Sequence, residues 1–191
     1  MPLRYAVICA SNQNRSMEAH NVLIKAGRDV HSYGTGTAVR LPGPAVDKPN
    51  VYPFGTPYDD IYHDLEGKDP QLYTSNGLLH MLDRNRRIKR APERFQESKD
   101  SYDVIVTCEE RCFDAVCEDL TTRGGTLNRP VHVVNVEIRD NHEDAAVGAR
   151  QIQRLTEMLD ASPDVDADID SIVNDFARRS GANVMHAVHY Y

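Results

Sequence analysis

The chain has 191 residues, 40% hydrophobic and 27% charged, with a formal net charge of −7 and four cysteines. Its length and apolar share suit one globular domain over residues 1–191, and the acidic balance argues against direct nucleic-acid binding by a basic field. No apolar run approaches the roughly 20 residues of a membrane span, and Met1-Pro2-Leu3-Arg4 lacks a secretory apolar segment, so the expectation is an intracellular protein with no membrane association and reduced thiols.

In chain order, Tyr5 to Ile8 reads as a short buried strand and Ser16 to Ala26 as a helix stopped by Gly27. "DVHSYGTG" gives a second strand around Val30 and Tyr33, completing a β-α-β unit and predicting a parallel sheet. Leu41 to Pro57, rich in proline and glycine, reads as a long surface loop or a lid, because it suits neither a regular helix nor a central strand. Tyr58 to Arg90 reads as helices broken near Gly67 and Gly77. Val104 to Thr107 is a buried strand, Glu109 to Leu120 a helix, and Val131 to Val136 another strand. Ala145 to Leu159 and Ile169 to Ala177 have amphipathic helical spacing, and "ANVMHAVHYY" reads as a last strand or an ordered end. The fold class is α/β, a three-layer α/β/α arrangement on a mainly parallel sheet, with a loop-rich and helical insertion after the second strand.

The first strand runs into "CASNQNRS", Cys9 to Ser16. A strand-loop-helix places this loop at the carboxyl edge of the sheet, where open α/β folds bind ligands. The helix N-terminus supplies unpaired N–H groups and a partial positive charge, the makings of an anion site. The backbone of Ala10, Ser11, Asn12, Gln13 and Asn14 could curl around a tetrahedral oxyanion as a nest. Arg15 would close it with a planar fork. Cys9 sits at the bottom as a thiolate nucleophile, and Ser16 could donate to its sulfur when the phosphate leaves. The loop has no glycine, so Asn12 and Asn14 are the candidates for left-handed backbone.

Cys9-x5-Arg15-Ser16 after a first strand resembles the cysteine-phosphatase loop, and Cys9-x-x-Asn12-x-x-Arg15-Ser16 is similar to the low-molecular-weight tyrosine phosphatase pattern. With "YGTG", "LPGPAVDKPNVY", "NGLLHMLDRNRRIK", "PERF", "CEER" and "PVHVVNVEIRDNHEDA", the chain resembles, end to end, the RNA polymerase II C-terminal-domain phosphatases of the 3′-end processing machinery. The resemblance implies a low-molecular-weight phosphatase-like fold and removal of phosphate from the fifth-position serine of the polymerase tail heptad, in its cis serine-proline form. It implies a nuclear protein that uses no metal or other cofactor and works with symplekin and the cleavage and polyadenylation factors.

A serine leaving group is a basic alkoxide, so it needs a general acid. "VEIRDNHEDA" offers Glu137, Asp140, Glu143 and Asp144. Glu137 would continue the strand, and Glu143 and Asp144 would open the next helix. Asp140 is the loop residue and matches the family's acid; a helix N-cap is its plainer role. The family's apolar shelf for a bent serine-proline substrate matches Leu41, Pro42, Tyr73 and Met81, although Tyr73 and Met81 equally suit a helix core. Arg40 stands where that pattern leads one to expect a lysine, and could touch peptide or phosphate.

Other motifs carry less. "GTGT" at Gly34 lacks the third glycine and helix of a dinucleotide fingerprint. Cys108, Cys112 and Cys117 do not have a usual zinc spacing and suit burial at a strand end and along a helix. His186 and His189, three apart, are more easily placed in a strand than on a metal. The basic stretch from Arg84 to Lys99 could be a nuclear-localisation patch, a partner surface or a solvated helix end. Small tyrosine phosphatases carry a second loop cysteine where Gln13 and Asn14 stand, so the sequence predicts peroxide inactivation with no intramolecular Cys9 disulfide. The alternatives are a tyrosine phosphatase or arsenate reductase on the same scaffold, or a paralogue that binds phosphopeptide or scaffold with little turnover.

Overall fold

The computed structural model describes residues 2–191. Its central sheet is built from β1 (Arg4–Cys9), β2 (Asp29–Gly34), β5 (Val104–Thr107), β6 (Pro130–Val136) and β7 (Val184–Tyr190), in the order β2-β1-β5-β6-β7. The first four are mutually parallel, and β7 runs antiparallel to β6. The tail is therefore a strand. Strands covered on both faces read as continuous apolar runs, which explains "YAVIC" and "VIVT".

Three helices, α1 (Arg15–Lys25), α6 (His142–Asp160) and α7 (Val165–Ser180), cover one face. There Leu23, Ile152, Leu155 and Phe176 pack with Val7 and Val106. The opposite face carries α5 (Glu110–Arg123), whose Phe113, Val116 and Leu120 pack on Ala6, Ile8 and Ile105. These are the three expected layers. Cys108 follows the end of β5, and Cys112 and Cys117 lie on α5.

Between β2 and β5 stands the insertion: β3 (Val39–Ala45), β4 (Lys48–Tyr52), α2 (Tyr58–Lys68), α3 (Pro70–Ser75) and α4 (Leu78–Ile88). It has its own core of Tyr58, Ile61, Leu65, Tyr73, Met81 and Leu82, which reaches α1 through Met17. Two expectations are corrected here. Leu41 to Pro57 is not one long loop, since β3 and β4 pair antiparallel within it. A two-stranded ribbon asks each strand for ladder bonds on one side only, so Pro42, Pro44 and Pro49 can be accommodated. Gly43 is needed there because a Cβ would lie 1.7 Å from the Lys48 carbonyl oxygen. The first helix break falls at Asp69 rather than Gly67, which lies inside α2. Asp69 caps α3 by accepting from the Leu72 N–H, ahead of Pro70.

Candidate active site

β1 delivers Cys9 to the carboxyl edge of the sheet and α1 starts at Arg15, so residues 10–14 form the connecting loop. The carbonyls of this loop are held from outside. Those of Cys9 and Ala10 accept from the N–H groups of Thr35 and Gly36 at 3.1 and 3.0 Å. The Asn12 carbonyl accepts from Tyr58 Oη at 2.6 Å. The Gln13 carbonyl accepts from Asn85 Nδ2 and Arg84 Nη2, each at 2.9 Å. Among the described residues, no protein acceptor meets the backbone N–H groups of Ser11 to Arg15. Outward carbonyls and unengaged amides are the pattern of an anion nest.

Asn12 makes the curl possible. Its φ of 54° is left-handed, and its Oδ1 accepts from the Glu93 N–H at 3.1 Å. Asn14, the other candidate, has φ −109° because it already enters α1. Ser16 Oγ lies 3.0 Å from Cys9 Sγ and accepts from Asn12 Nδ2 at 2.9 Å. With that amide on a lone pair, the Ser16 hydrogen can turn to a thiolate.

Arg15 is 4% exposed. Its Nη1 donates to the Ile138 carbonyl at 3.0 Å and lies 3.3 Å from Glu109 Oε2. Its Nε is 3.6 Å from Asp140 Oδ1 and has no hydrogen-bond partner among the described residues. Burial works against this cation, but Cys9, Asp140 and Glu109 more than offset it and hold its pKa above the ordinary value. Asp140 is on the connection between β6 and α6, where Asn14 Nδ2 donates to its Oδ1 at 3.0 Å. Asp140 does not cap α6: Asn141 does, accepting from the Asp144 N–H at 2.8 Å. Glu143 and Asp144 fall in the first turn of α6, as their charge suggests.

These groups enclose a cavity of about 160 Å³. Cys9, Gln13 and Arg15 form its floor, Asp140 and His142 one wall, and Arg40, Leu41, Pro42, Leu78 and Met81 the other. His142 Nε2 reaches the Asn76 carbonyl at 3.0 Å, joining the two walls. Met81 belongs to the insertion core and also lines the cavity. Tyr73 does not line the cavity. It is 2% exposed, and its hydroxyl accepts from Asn50 Nδ2 at 2.9 Å behind the hairpin. The expectation of Tyr73 as a direct shelf contact is corrected to a supporting core residue, because its helix turns that ring inward.

Sequence reasoning misses Tyr58, Leu78, Arg84, Asn85, Glu109 and His142. Arg84 opens the basic stretch, yet it is partly buried, paired with Glu18 Oε2 at 2.5 Å and bonded to the loop. Its neighbours are also paired, Arg86 with Asp59 and Asp83, Arg87 with Asp83, and Lys89 with Glu93. His186 and His189 lie an odd number of residues apart on β7 and so point to opposite faces. His186 stacks on His132 instead.

A family model described as "Ssu72-like protein" matches residues 3–191. The Schizosaccharomyces pombe RNA polymerase II C-terminal domain phosphatase ssu72 is 57% identical over 191 residues, covering 99% of this chain and 97% of that protein. The Homo sapiens phosphatase SSU72 is 57% identical over 190 residues, covering 100% and 98%. A crystal structure of Drosophila melanogaster Ssu72 with symplekin, bound to a cis peptidomimetic of the C-terminal domain phosphorylated on the fifth-position serine, superposes with a TM-score of 0.96 at 54% identity, covering 99% of this chain and 98% of that one.

Proposed function

This chain belongs to the Ssu72 family, and from that premise we propose that it is a cysteine-dependent serine phosphatase of the RNA polymerase II C-terminal-domain heptad. The substrate is the phosphorylated fifth-position serine ahead of a cis proline, and the phosphate passes through a phosphocysteine. The observation that carries the chemistry is the arrangement around Cys9: a loop whose carbonyls are held outward, with Asp140 fixed at its rim by Asn14.

In the first step the Cys9 thiolate attacks phosphorus and the bond to the serine oxygen breaks. Arg15 and the N–H groups of residues 10–15 bind the phosphoryl oxygens, where charge is spread in the transition state. Asp140 gives its proton to the departing alkoxide. In the second step the Asp140 carboxylate takes a proton from water, which attacks the phosphocysteine. The sulfur leaves as a thiolate, stabilised by the Ser16 hydroxyl. In the wall opposite Asp140, Leu41, Pro42, Leu78 and Met81 are the apolar shelf for the serine-proline bend, with Arg40 beside them to meet peptide or phosphate and Tyr73 behind.

As the Drosophila relative was solved with symplekin, this chain is proposed to act with symplekin and the cleavage and polyadenylation factors, in the nucleus. The test is phosphate release from a two-heptad peptide phosphorylated at the fifth-position serine. Release that needs Cys9 and is accelerated by a prolyl isomerase is the expected result. A peptide that binds without losing phosphate would overturn the reading in favour of a binding paralogue.

A further inference from the structure

We propose that Cys108 is the resolving thiol of Cys9, so that a hydroperoxide closes a reversible Cys9–Cys108 disulfide and switches the site off. This rests on the proposed function, because it takes Cys9 as the reactive thiol. Cys108 lies outside residues 10–14, so a loop without a second cysteine does not leave Cys9 without a partner.

Strand register brings the two sulfurs to one place. β1 and β5 are parallel neighbours, with Tyr5 opposite Val104, Val7 opposite Val106 and Ile8 opposite Thr107. The next pair in that register is Cys9 and Cys108. The Cys108 N–H donates to the Ile8 carbonyl at 3.0 Å, which keeps the two strands' ends together at this point. Side chains alternate along a strand, and Tyr5, Val7 and Cys9 pack in the same core cluster as Val104, Val106 and Cys108. Both thiols therefore stand on one face of adjacent strands. Neighbouring strands lie about 4.7–4.9 Å apart, inside the Cα separation of about 4.4–6.8 Å that a disulfide spans.

The two cysteines differ in access. Cys9 lines the cavity, so a small hydroperoxide can reach it. Cys108 is 0% exposed, and burial followed by the proximity of Cys9 pushes its thiol well above the ordinary range. It rests as a thiol, leaving Cys9 as the reactive thiol at the floor of the cavity. Cys112 is engaged elsewhere: its Sγ accepts from Thr35 Oγ1 at 3.3 Å and donates to Glu109 Oε1 at 3.5 Å.

The chemistry balances with the hydroperoxide as the only oxidant. The Cys9 thiolate takes the terminal oxygen and the O–O bond breaks. Sulfur is oxidised by two electrons to sulfenic acid, and the peroxide is reduced to water or an alcohol. The Cys108 sulfur then attacks the Cys9 sulfur, the S–S bond forms and the S–O bond breaks. The hydroxide leaves as water with the Cys108 proton. A dithiol reductant restores both thiols by exchange.

The test treats the full chain with hydrogen peroxide, alkylates the remaining thiols and maps sulfur linkages by mass spectrometry without reduction. The expected product is a Cys9–Cys108 crosslinked peptide that disappears with dithiothreitol. The Cys108→Ala variant, verified as folded by its thermal melt, should be oxidised at Cys9 as fast as wild type. It should recover about fivefold less free Cys9 after reduction, because the unprotected sulfenic acid proceeds to sulfinic acid. Cys9 found only as sulfenic or sulfinic acid in the wild type, or linked to Cys112 or Cys117, overturns the proposal. The mapping reads sulfur rather than phosphate release, so it stands apart from failure on the heptad peptide.

Discussion

Asn14 Nδ2 donates to Asp140 Oδ1 at 3.0 Å, so a residue of the phosphate loop holds the proposed acid by its side chain. The acid is thereby placed relative to the phosphate rather than to the distant part of its own loop. Replacing it with an amide keeps the shape and removes the proton. Asp140→Asn should bind phosphoserine-proline peptide near wild-type affinity and lose about 10²–10⁴-fold in kcat. On p-nitrophenyl phosphate, whose leaving group needs little protonation, the loss should be much smaller. Equal losses on both substrates would argue against Asp140 as the acid.

The Gln13 carbonyl is held by two donors, Asn85 Nδ2 and Arg84 Nη2. Removing one leaves the other, and removing both frees the peptide plane to turn. Asn85→Ala should cost about 1–3 kcal/mol of stability, since it deletes a buried hydrogen-bonding group. It should also weaken competitive inhibition by inorganic phosphate several-fold. The Arg84→Ala, Asn85→Ala double variant should show a larger loss of phosphate binding than the two single effects combined.

Met81 is 3% exposed and faces the cavity from α4. Met81→Ala should destabilise the protein by about 2–5 kcal/mol through the space it leaves. For the phosphoserine-proline peptide, kcat/KM should fall roughly tenfold, the loss expected when an apolar contact to the bound substrate is removed. Activity on p-nitrophenyl phosphate, which reaches only the floor, should change little. Steady-state kinetics on both substrates check this.

His20 gives a pH dependence of stability. Its ring is buried with Nδ1 2.7 Å from Ser32 Oγ, and burial, then Lys89 and His31, push its pKa down to about 4. An unfolded histidine titrates near 6.5. Between those values the unfolded chain binds a proton that the folded chain refuses, so stability falls as pH drops from about 6.5 to about 4 and levels off below. The loss is on the order of 3 kcal/mol. Urea midpoints measured across that window should fall for the wild type, and His20→Gln should flatten the slope.

The shape of the Cys9–Ser16 loop is legible in the sequence because it is local. An apolar strand, a cysteine, small polar residues, an arginine and a helix follow one another without a gap, and the roles of neighbours are fixed by geometry that sequence spacing controls. Asn12 in left-handed backbone is legible for the same reason. The hairpin Val39–Tyr52 is not, because its prolines silence the strand signal and its place is set by contacts with α2 and α4 that lie far along the chain. Arg84 is hidden among charges, since a cation that clamps a carbonyl and one that faces water look alike in sequence. Cys108 beside Cys9 needs the register of two strands separated by the whole insertion.

That insertion has a further consequence for anyone wishing to shorten the chain. Tyr58, Arg84 and Asn85 come from its helices, and Glu93 from the segment that follows them. Together they hold two carbonyls and one side chain of the Cys9–Arg15 loop in place. A trimmed protein that kept the sheet, Cys9, Arg15 and Asp140 but lacked residues 39–94 would carry every proposed reacting group, keep the Thr35 and Gly36 bonds to the loop, and lose the donors that hold Asn12 and Gln13. The smallest unit that shapes this loop is thus larger than the layer that holds Cys9, and grafting the short loop sequence onto another strand-helix junction would transfer the letters without the shape.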